Sequence, residues 1–515
     1  MVGPDYSRPE SAVNPDWLEA EEESFKSDQS MLTEWWKVFE DPVLNSLIAD
    51  AYAQNLDLEA AGLRVIQARA ARGIAVGDFF PQEQSINGDV GRSALSRNEN
   101  GSTTDRFFSS AGLSFDVAWE LDFWGRFRRG IETEDALLLA SIAEYDDLLV
   151  TVLSEVALAY IDIRTTERRL ELAAANVEAQ QNSLDITDVR FRNGATTELD
   201  VTEARSTLAN TKATIPSLQS ELRSAKLSLC VLLGLTPGVL DARLAGGEGI
   251  PTAPADVAIG APAELLRRRP DVRLAERVAA AQSAQIGVAK ADLYPSISIS
   301  GSTGLGASSA DPPTGLGADL GDIADAESFT GFIGLGVNWP VLNYGRIRNN
   351  IRLQDAAYQE AVADYRATVL FAAAEAEEAL FSFLRSREEF ALLEESAAAA
   401  ARSLELATTQ YTEGSVDFIR VNDANAFLSE QQDAAAQSKG AIAEQLVLAY
   451  KALGGGWEIR AGKEFVPAAT LEQMMQRTDY GDLLKRDEDQ SRIFVPPAEN
   501  AETYLEDQPV QEKSK

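Results

Sequence analysis

The chain has 515 residues, of which 81 are acidic and 46 are basic, so its formal net charge at neutral pH is −35. It has no His and one Cys, which excludes a Ser-His-Asp triad, a His-ligated metal site, a Cys-only zinc site, an iron–sulfur cluster and an intrachain disulfide. The strong acidic excess also argues against a nucleic-acid partner, because such proteins need a basic face to neutralise phosphates.

The relation of the chain to a membrane is open at this point. No stretch approaches 18 consecutive apolar residues, so we expect no transmembrane helix. Residues 1–30 are polar and acidic, and we see no signal peptide in them. A cytosolic protein and a mature exported chain both fit, since short alternating strands also cross bilayers without a hydropathy signal.

Most of the chain consists of one long sequence unit that occurs twice in tandem. Gly125–Arg128 is matched by Gly345–Arg348 at an offset of 220 residues, and this offset holds to the end of the unit. Upstream, Asp78–Pro81 matches Asp292–Pro295 at an offset of 214, so the stretch between contains one small length difference. A tandem duplication of this kind replaces the several unrelated domains that length alone suggests.

The duplication divides the chain into five regions. Each unit contains a helical segment (about 43–78 and about 262–292), a strand hairpin and two long helices. The predicted regions are an N-terminal extended segment (1–42), repeat unit 1 (43–234, with its hairpin at about 82–121), a connecting segment (235–261), repeat unit 2 (262–454, with its hairpin at about 296–341), and a C-terminal segment with a disordered tail (455–515).

The first long helix of each unit is the plainest local pattern. Neither Gly nor Pro occurs between Ile131 and Asn193 or between Arg346 and Glu413, and both runs are rich in strong helix formers. Some 65 residues would make a rod of roughly 100 Å, with apolar residues at heptad-like spacing that predict coiled-coil packing. Return helices are expected at about 197–233 and 417–453. On the helices alone, a soluble coiled-coil scaffold remains the alternative.

The hairpins favour a membrane protein. In residues 113–121 apolar and polar side chains alternate strictly, and residues 329–341 do so with Phe332 as the exception. Two strands per unit make four per chain, with Trp119 and Trp339 where an aromatic girdle would lie. Four strands cannot close a barrel, and lipid forbids open sheet edges. The chain must therefore oligomerise, with at least two copies sharing one barrel.

Several dispersed motifs resemble the TolC-like outer-membrane efflux channels of Gram-negative bacteria, in their lipoprotein (OprM/NodT-like) branch. The motifs are Val2–Tyr6 with Arg8-Pro9, Trp35-Trp36 with Asp41-Pro42, Leu265–Val272 with Ala275-Glu276, and Ala452–Trp457. The resemblance covers roughly residues 1 to 458. It implies a mostly α chain with a transmembrane β-barrel: a homotrimer with a twelve-stranded barrel in outer-membrane lipid, a periplasmic α-barrel of twelve helices, and an equatorial belt.

The resemblance also implies a function. The protein would be the passive exit duct of a tripartite (RND-type) multidrug efflux pump, docked on a periplasmic adaptor and an inner-membrane pump, with no enzymatic activity, no cofactor and no metal. An exit duct for type I protein secretion or for metal ions is the alternative in the same class. In the lipoprotein branch the mature chain begins with a lipidated Cys, and Met1 stands at that position here, so we expect no lipid anchor on this chain.

The resemblance places a gate at the periplasmic tip, where the long helices meet. The tip turns, 190–199 and 410–419, are broken by Gly194 and Gly414, and we expect adaptor docking there. An apolar ring can block a pore by dewetting, and an acidic ring selects cations. The expected aperture and gate residues are Ile419, Asp423, Tyr411, Arg420, Arg192 and Glu203, with Arg190 as a further partner of Tyr411. Arg420 and Asp423, three residues apart on a helix, are expected to pair.

Three other features have plain structural interpretations. Cys230 lies in an apolar run and is expected to be a small buried hydrophobe. The basic run Arg267–Arg269 precedes a helix and should pair with nearby acids. The Gly-x-Gly steps at Gly304 and Gly334 lack the rest of a dinucleotide fingerprint and are expected to be strand glycines.

Overall fold

The computed structural model describes residues 1–14, 16–18, 25–26, 32–96, 106–247, 249–254, 257–258, 266–310, 319–481 and 483–484. The chain divides into two compact units. Unit 1 consists of Met1–Glu22, Gln67–Asp147 and Gly260–Ala379, and unit 2 consists of Glu23–Ile66, Leu148–Ile259 and Leu380–Lys515. The predicted tail at the C-terminus and parts of both hairpin loops lie outside the described residues.

The predicted helices are present in the predicted order, and two further short helices lie in the connecting and C-terminal segments, for which none was predicted. In chain order the helices are α1 (Pro42–Gln54), α2 (Leu56–Gly77), α3 (Arg126–Arg192), α4 (Glu198–Leu232), α5 (Leu240–Leu244), α6 (Pro270–Ala291), α7 (Arg346–Thr412), α8 (Phe418–Ala452) and α9 (Ala468–Arg477). Helices α3 and α7 both have 67 residues, α4 and α8 both have 35, and the offset of 220 residues relates all their bounds.

The helix expected over about 43–78 is divided in two at Asn55. The backbone of Asn55 is extended, with ψ of 126°, between α1 and α2. Its side-chain oxygen accepts a hydrogen bond from the Leu58 amide at 2.9 Å, and its amide nitrogen donates to the Leu232 carbonyl at 2.8 Å. Asn therefore starts α2 as a side-chain cap, a role for which its short polar side chain is suited.

Four strands in unit 1 form one antiparallel sheet, in which they lie in the same order as in the chain. The strands are β2 (Glu83–Ala94), β3 (Phe107–Leu121), β5 (Ser296–Ser308) and β6 (Phe329–Asn338); two short strands in unit 2, β1 (Phe25–Lys26) and β4 (Val257–Ala258), pair in parallel. The predicted alternation is confirmed. Large apolar side chains of one sheet face are exposed to solvent, namely Ile86, Val90, Leu113, Phe115, Leu335 and Val337.

Unit 2 has an aromatic core at its N-terminal segment. Trp35 is fully buried, and its ring stacks on that of Tyr450 with centroids 5.7 Å apart. Asp41 caps α1 by accepting from the Val43 amide and also accepts the Tyr160 hydroxyl at 2.7 Å. Aromatic burial of this kind supplies much of the apolar area that stabilises a fold.

The remaining sequence motifs behave as expected. Cys230 is buried as a free thiol. In unit 1, Arg269 is buried and forms ion pairs with Asp271 at 2.9 Å and Glu375 at 2.6 Å, while Gly304 and Gly334 lie within strands. No described helix is both long enough and apolar enough to cross a bilayer.

Candidate functional site

The first connecting turn joins α3 to α4 through Gly194. Gly194 has a φ of +71°, a conformation that costs other residues about 1–2 kcal/mol because of the Cβ atom. Its amide donates to the Phe191 carbonyl at 2.9 Å, and the Ala195 amide donates to the Arg190 carbonyl at 2.8 Å. These two bonds are those of a Schellman motif, which satisfies the last carbonyls of a helix.

The second connecting turn joins α7 to α8 with the same backbone. Gly414 has a φ of +79°, its amide donates to the Tyr411 carbonyl at 3.0 Å, and the Ser415 amide donates to the Gln410 carbonyl at 2.9 Å. Nothing lies within 4 Å of the position that a Cβ atom would take on either Gly194 or Gly414. Both glycines are therefore required by backbone conformation and not by close packing.

The helices that leave the two turns begin differently. Thr197 forms a capping box with Asp200 at the start of α4, an arrangement that satisfies two free amides of the first turn. Asp417 precedes α8 in an extended conformation, but its side chain accepts no capping hydrogen bond. The start of α8 thus depends on packing for its position.

That packing centres on Tyr411. Its side chain is 5% exposed and belongs to a buried cluster with Phe418, Val421 and Ala204. The Phe418 ring meets it edge to face at 5.4 Å. Tyr411 and Phe418 therefore hold the end of α7 against the start of α8.

Arg190 covers the other face of Tyr411. Its guanidinium carbon lies 4.4 Å from the ring centroid, and its Nη1 donates to the Tyr411 carbonyl at 3.0 Å. The predicted partnership of Arg190 and Tyr411 thus uses the ring and the backbone. The Tyr411 hydroxyl is buried and has no hydrogen-bond partner among the described residues, and such a group costs stability until it finds one.

The other predicted gate residues do not converge within one chain. Ile419 is 48% exposed, Arg420 and Asp423 are exposed, and Glu203 is half-buried on α4. Arg192 forms an ion pair with Asp188, one helical turn earlier on α3, at 2.5 Å. The expected pair of Arg420 with Asp423 is absent from the ion pairs of the described residues, so both charges remain at the surface.

In unit 2, a row of side-chain hydrogen bonds, here called the polar seam, connects α3 and α4 with α8. The sequence did not predict it. Its hydrogen bonds run from Arg169 to Asp433 (2.7 Å), Asn176 to Gln432 (3.0 Å), Gln180 to Ser429 (3.2 Å) and Thr207 to Asn422 (2.7 Å). Asn176 and Gln180 are one helical turn apart, a spacing that could have indicated it. Polar seams contribute less net stability than apolar ones because water competes for the same bonds.

A cavity of about 590 Å³ beside this seam is lined by two carboxyls, those of Asp162, which keeps contact with solvent, and Glu444, which is half-buried. Burial raises the pKa of Asp162, which the charge of Glu221 raises further. Burial also raises the pKa of Glu444, which the neighbouring charge of Asp162 raises further. Within the described part of the chain, no three acidic or thiol side chains are grouped so as to hold a metal ion.

Known proteins of similar sequence and structure are outer-membrane channels and efflux proteins. The family model for "Outer membrane efflux protein" matches residues 47–235 and 261–455. Nodulation protein T of Rhizobium leguminosarum bv. trifolii is 30% identical over 465 residues, covering 89% of this chain and 94% of that protein. The pyoverdine export outer membrane protein OpmQ of Pseudomonas aeruginosa is 30% identical over 446 residues, covering 84% and 89%. The solved structure of the outer-membrane channel OprN matches with a TM-score of 0.82 and 34% identity, covering 89% of this chain and 99% of that one.

Proposed function

The chain belongs to the outer membrane efflux protein family, and from this premise we propose that it is the trimeric exit duct of a tripartite, RND-type multidrug efflux pump, closed by its second connecting turn. As a member of this family it is an outer-membrane protein that extends into the periplasm. The duct is passive and catalyses no reaction, because the inner-membrane pump supplies the energy.

Trimer formation is supported by the open sheet. The outer edges of β2 and β6 are unpaired among the described strands, and unpaired backbone groups cost several kcal/mol each in lipid. The exposed apolar face of the sheet suits contact with acyl chains. Three copies close a twelve-stranded barrel, and three sets of α3, α4, α7 and α8 form the twelve-helix periplasmic tunnel.

The proposed division of the chain follows from the duplication. Repeat units 43–234 and 262–454 supply strands and tunnel helices. The connecting segment 235–261 and the described part of the C-terminal segment contribute to an equatorial belt. The tip turns with Gly194 and Gly414 are the docking points of the periplasmic adaptor.

The gate proposal depends on one observation above the others, the packing of Tyr411. This buried side chain ties α7 to α8. Its hydroxyl is also buried, has no partner among the described residues, and would reach a neighbouring subunit only after the turn rearranges. Ile419 and Asp423, one helical turn apart on α8, are both exposed. In a trimer they would form an apolar ring and an acidic ring, which together limit conductance and favour cations.

Conductance in planar lipid bilayers tests the gate. We expect the double variant Tyr411→Phe with Asp423→Ser to conduct several-fold more than the native trimer, because it lacks the hydroxyl contact and the acidic ring. The matched control is Glu413→Ser, which removes an exposed acid from the turn itself and should leave conductance unchanged. A double variant with native conductance would contradict the gate assignment.

Cargo is tested separately. The relative OpmQ exports pyoverdine by its name, so a multidrug cargo is our proposal for this chain. We expect deletion of its gene, in its own host, to increase susceptibility to several unrelated toxic compounds and to be complemented by the native gene. Sensitivity restricted to one metal ion would instead favour the metal-efflux alternative.

A further inference from the structure

The two hairpins of one chain meet at a junction in unit 1 that is built from aromatic residues. At this junction, strand β3 of the first hairpin pairs antiparallel with strand β5 of the second. Just beyond β3, the Trp124 ring stacks on Tyr294 with centroids 4.5 Å apart and an interplanar angle of 20°. The Trp124 indole also donates to the Pro295 carbonyl at 2.9 Å. This contact ties the end of the first hairpin to the beginning of the second.

The two hairpins are equivalent in detail. The Trp119 indole donates to the Phe79 carbonyl at 3.2 Å, and the Trp339 indole donates to the Leu293 carbonyl at 3.1 Å. These contacts correspond at the sequence offsets of 214 and 220. The same roles therefore fall on the same positions in both halves.

The strand pairing shows that the sequence offset between the first strands of the two hairpins is one residue smaller than the offset of 214 upstream of them. Glu83 faces Ala118 in the first hairpin, and Ser296 faces Asn338 in the second, so β2 relates to β5 by 213 residues while β3 relates to β6 by 220. The extra residue is Gln82, whose side chain exchanges hydrogen bonds with the Glu120 backbone. With this offset Ile86 corresponds to Ile299 and Gly88 to Gly301.

At the two outer edges of the sheet, the residues equivalent to this aromatic pair are both present but are exposed. Trp124 corresponds to Tyr344, and Tyr294 corresponds to Phe80. Tyr344 is 98% exposed with a φ of +49°, and Phe80 is 57% exposed. A left-handed backbone costs about 1–2 kcal/mol for a residue with a side chain, and among the described residues no ring contact of Tyr344 offsets that cost.

We propose that a second copy of the chain completes this junction in one defined register. Strand β6 pairs antiparallel with the β2 strand of the neighbouring copy, so that Asn338 faces Asn87 of the partner subunit. Tyr344 stacks on Phe80 of the partner subunit, as Trp124 stacks on Tyr294 within the chain. This inference rests on the proposed trimer and adds the residues that form its subunit junction.

The pattern of apolar residues supports this register. It places Trp339 opposite Ile86 of the partner subunit, and Leu335 opposite Val90 of the partner subunit. A slip of one residue would set the apolar face of β6 against Asn87 of the partner subunit and its polar neighbours. Register is strongly specified wherever one face of a sheet is apolar, because a one-residue slip reverses every side chain.

Disulfide cross-linking tests the register. In a Cys230→Ala background, we would combine Asn338→Cys with Asn87→Cys and oxidise the detergent-solubilised trimer. Directly opposed residues lie about 4.5–5.5 Å apart between Cα atoms, within the reach of a disulfide. We expect covalent dimers and trimers on a denaturing gel, and the corresponding single-Cys variants should give none.

Shifted pairs distinguish the possible failures. Asn338→Cys combined with Ser85→Cys or Asp89→Cys keeps the same sheet face but moves the pair by two residues, beyond the usual disulfide reach. Stronger cross-linking of either shifted pair would overturn the register while leaving the trimer intact. A monomer by light scattering, with no cross-link from any pair, would reject the proposed assembly itself.

The aromatic contact has its own test. We expect Tyr344→Ala to lower the temperature at which the trimer dissociates by several degrees, and Tyr344→Phe to leave it unchanged, since stacking needs the ring and not the hydroxyl. Leu342→Ala, a neighbouring exposed position, is the matched control. Equal dissociation temperatures for the native trimer and Tyr344→Ala would overturn the stack.

Discussion

The two connecting turns share one backbone and are stabilised in different ways. Both end a 67-residue helix in a Schellman motif, with glycines of φ +71° and +79° and hydrogen bonds that correspond residue by residue. At the position of Tyr411, however, the first turn has Phe191, which is 39% exposed where Tyr411 is 5% exposed. The first turn is held by a capping box and the second by a buried aromatic cluster.

The two turns should therefore differ in their response to contact with a neighbouring subunit. Capping bonds are local, so the first turn is complete within its own chain. The cluster around Tyr411 joins side chains from three helices, α4, α7 and α8, and includes a buried hydroxyl that lacks a partner among the described residues. We therefore expect a change at Tyr411 to affect the second turn more than the first, which also has its own capping bonds.

The largest expected effect comes from removing the Tyr411 ring. Truncating a buried aromatic residue typically costs about 3–5 kcal/mol, so Tyr411→Ala should lower the local opening free energy of the second turn by about 3 kcal/mol. Hydrogen exchange of the Gly414 and Ser415 amides measures it. Phe191→Ala is the matched control and should cost less than about 1 kcal/mol, in keeping with an exposed side chain. Equal losses at the two turns would remove the distinction between them.

Next in size is the backbone cost at the two glycines. Gly194→Ala and Gly414→Ala each force a side chain into the left-handed region, at about 1–2 kcal/mol. Because no atom crowds either site, we expect equal losses, measured by chemical denaturation of each variant trimer. A clearly larger loss at one glycine would mean that the two backbones are not equivalent.

Removing the capping side chain should destabilise the first turn more than the second, the reverse of the effect expected for removing the aromatic ring. Thr197→Ala removes the capping box of α4 and should destabilise that helix end by about 1 kcal/mol. Asp417→Ala, at the equivalent position, should cost less than about 0.5 kcal/mol because its side chain makes no capping bond. Amide exchange in the first turns of α4 and α8 gives both values, and the prediction is wrong if Asp417→Ala costs as much as Thr197→Ala.

The smallest expected effect is on the pH dependence of stability. It involves a pair of acidic residues whose equivalents in the other copy of the repeat are not acidic. Asp162 and Glu444 correspond to Ser382 and Ser224 at the offset of 220 residues, so this pair of acids occurs once in the chain. Burial raises the pKa of Glu444, so the native state keeps a proton that the unfolded chain has lost. Stability from this group is therefore present at low pH and falls as pH rises above about 4.3, the unfolded value for Glu.

We accordingly expect Glu444→Gln to lessen the loss of thermal stability between about pH 4 and pH 7. Arg169, Glu389, Glu430 and Asp433 are the other charged residues around the cavity, and they are unchanged in this variant. Glu430→Gln, at an exposed acid of the same cavity, is the control. A pH profile of Glu444→Gln parallel to that of the native protein would contradict the proposed effect of burial.

The prediction of secondary structure succeeded where local chemistry decides. The return helices were placed within one residue of their observed ends, because Gly194 and Gly414 mark the breaks and no other residue can take their φ cheaply. The alternation in residues 113–121 gave the face of β3 correctly. The break at Asn55 was missed because an Asn within a helical pattern is ambiguous until its side chain finds the Leu232 carbonyl.

The site was predicted less completely. Tyr411 was named from a resemblance, but its burial depends on Phe418 and Arg190, which reach it from other helices. The polar seam was likewise missed because its partners, such as Asn176 and Gln432, are 256 residues apart. The expected ion pair between Arg420 and Asp423, three residues apart on α8, is not among the ion pairs of the described residues, and both side chains are exposed.

By itself, the sequence determined the number and type of the long elements, their repetition and the family of the protein. These follow from residue preferences and periodicities that act over a few residues, and from motifs that any matching chain shares. Only the tertiary structure decided the shift of one residue at Gln82, the burial of Tyr411 and the exposure of Tyr344. Each of these depends on which distant residues are brought into contact, and contact free energy depends on that arrangement, which no local pattern encodes.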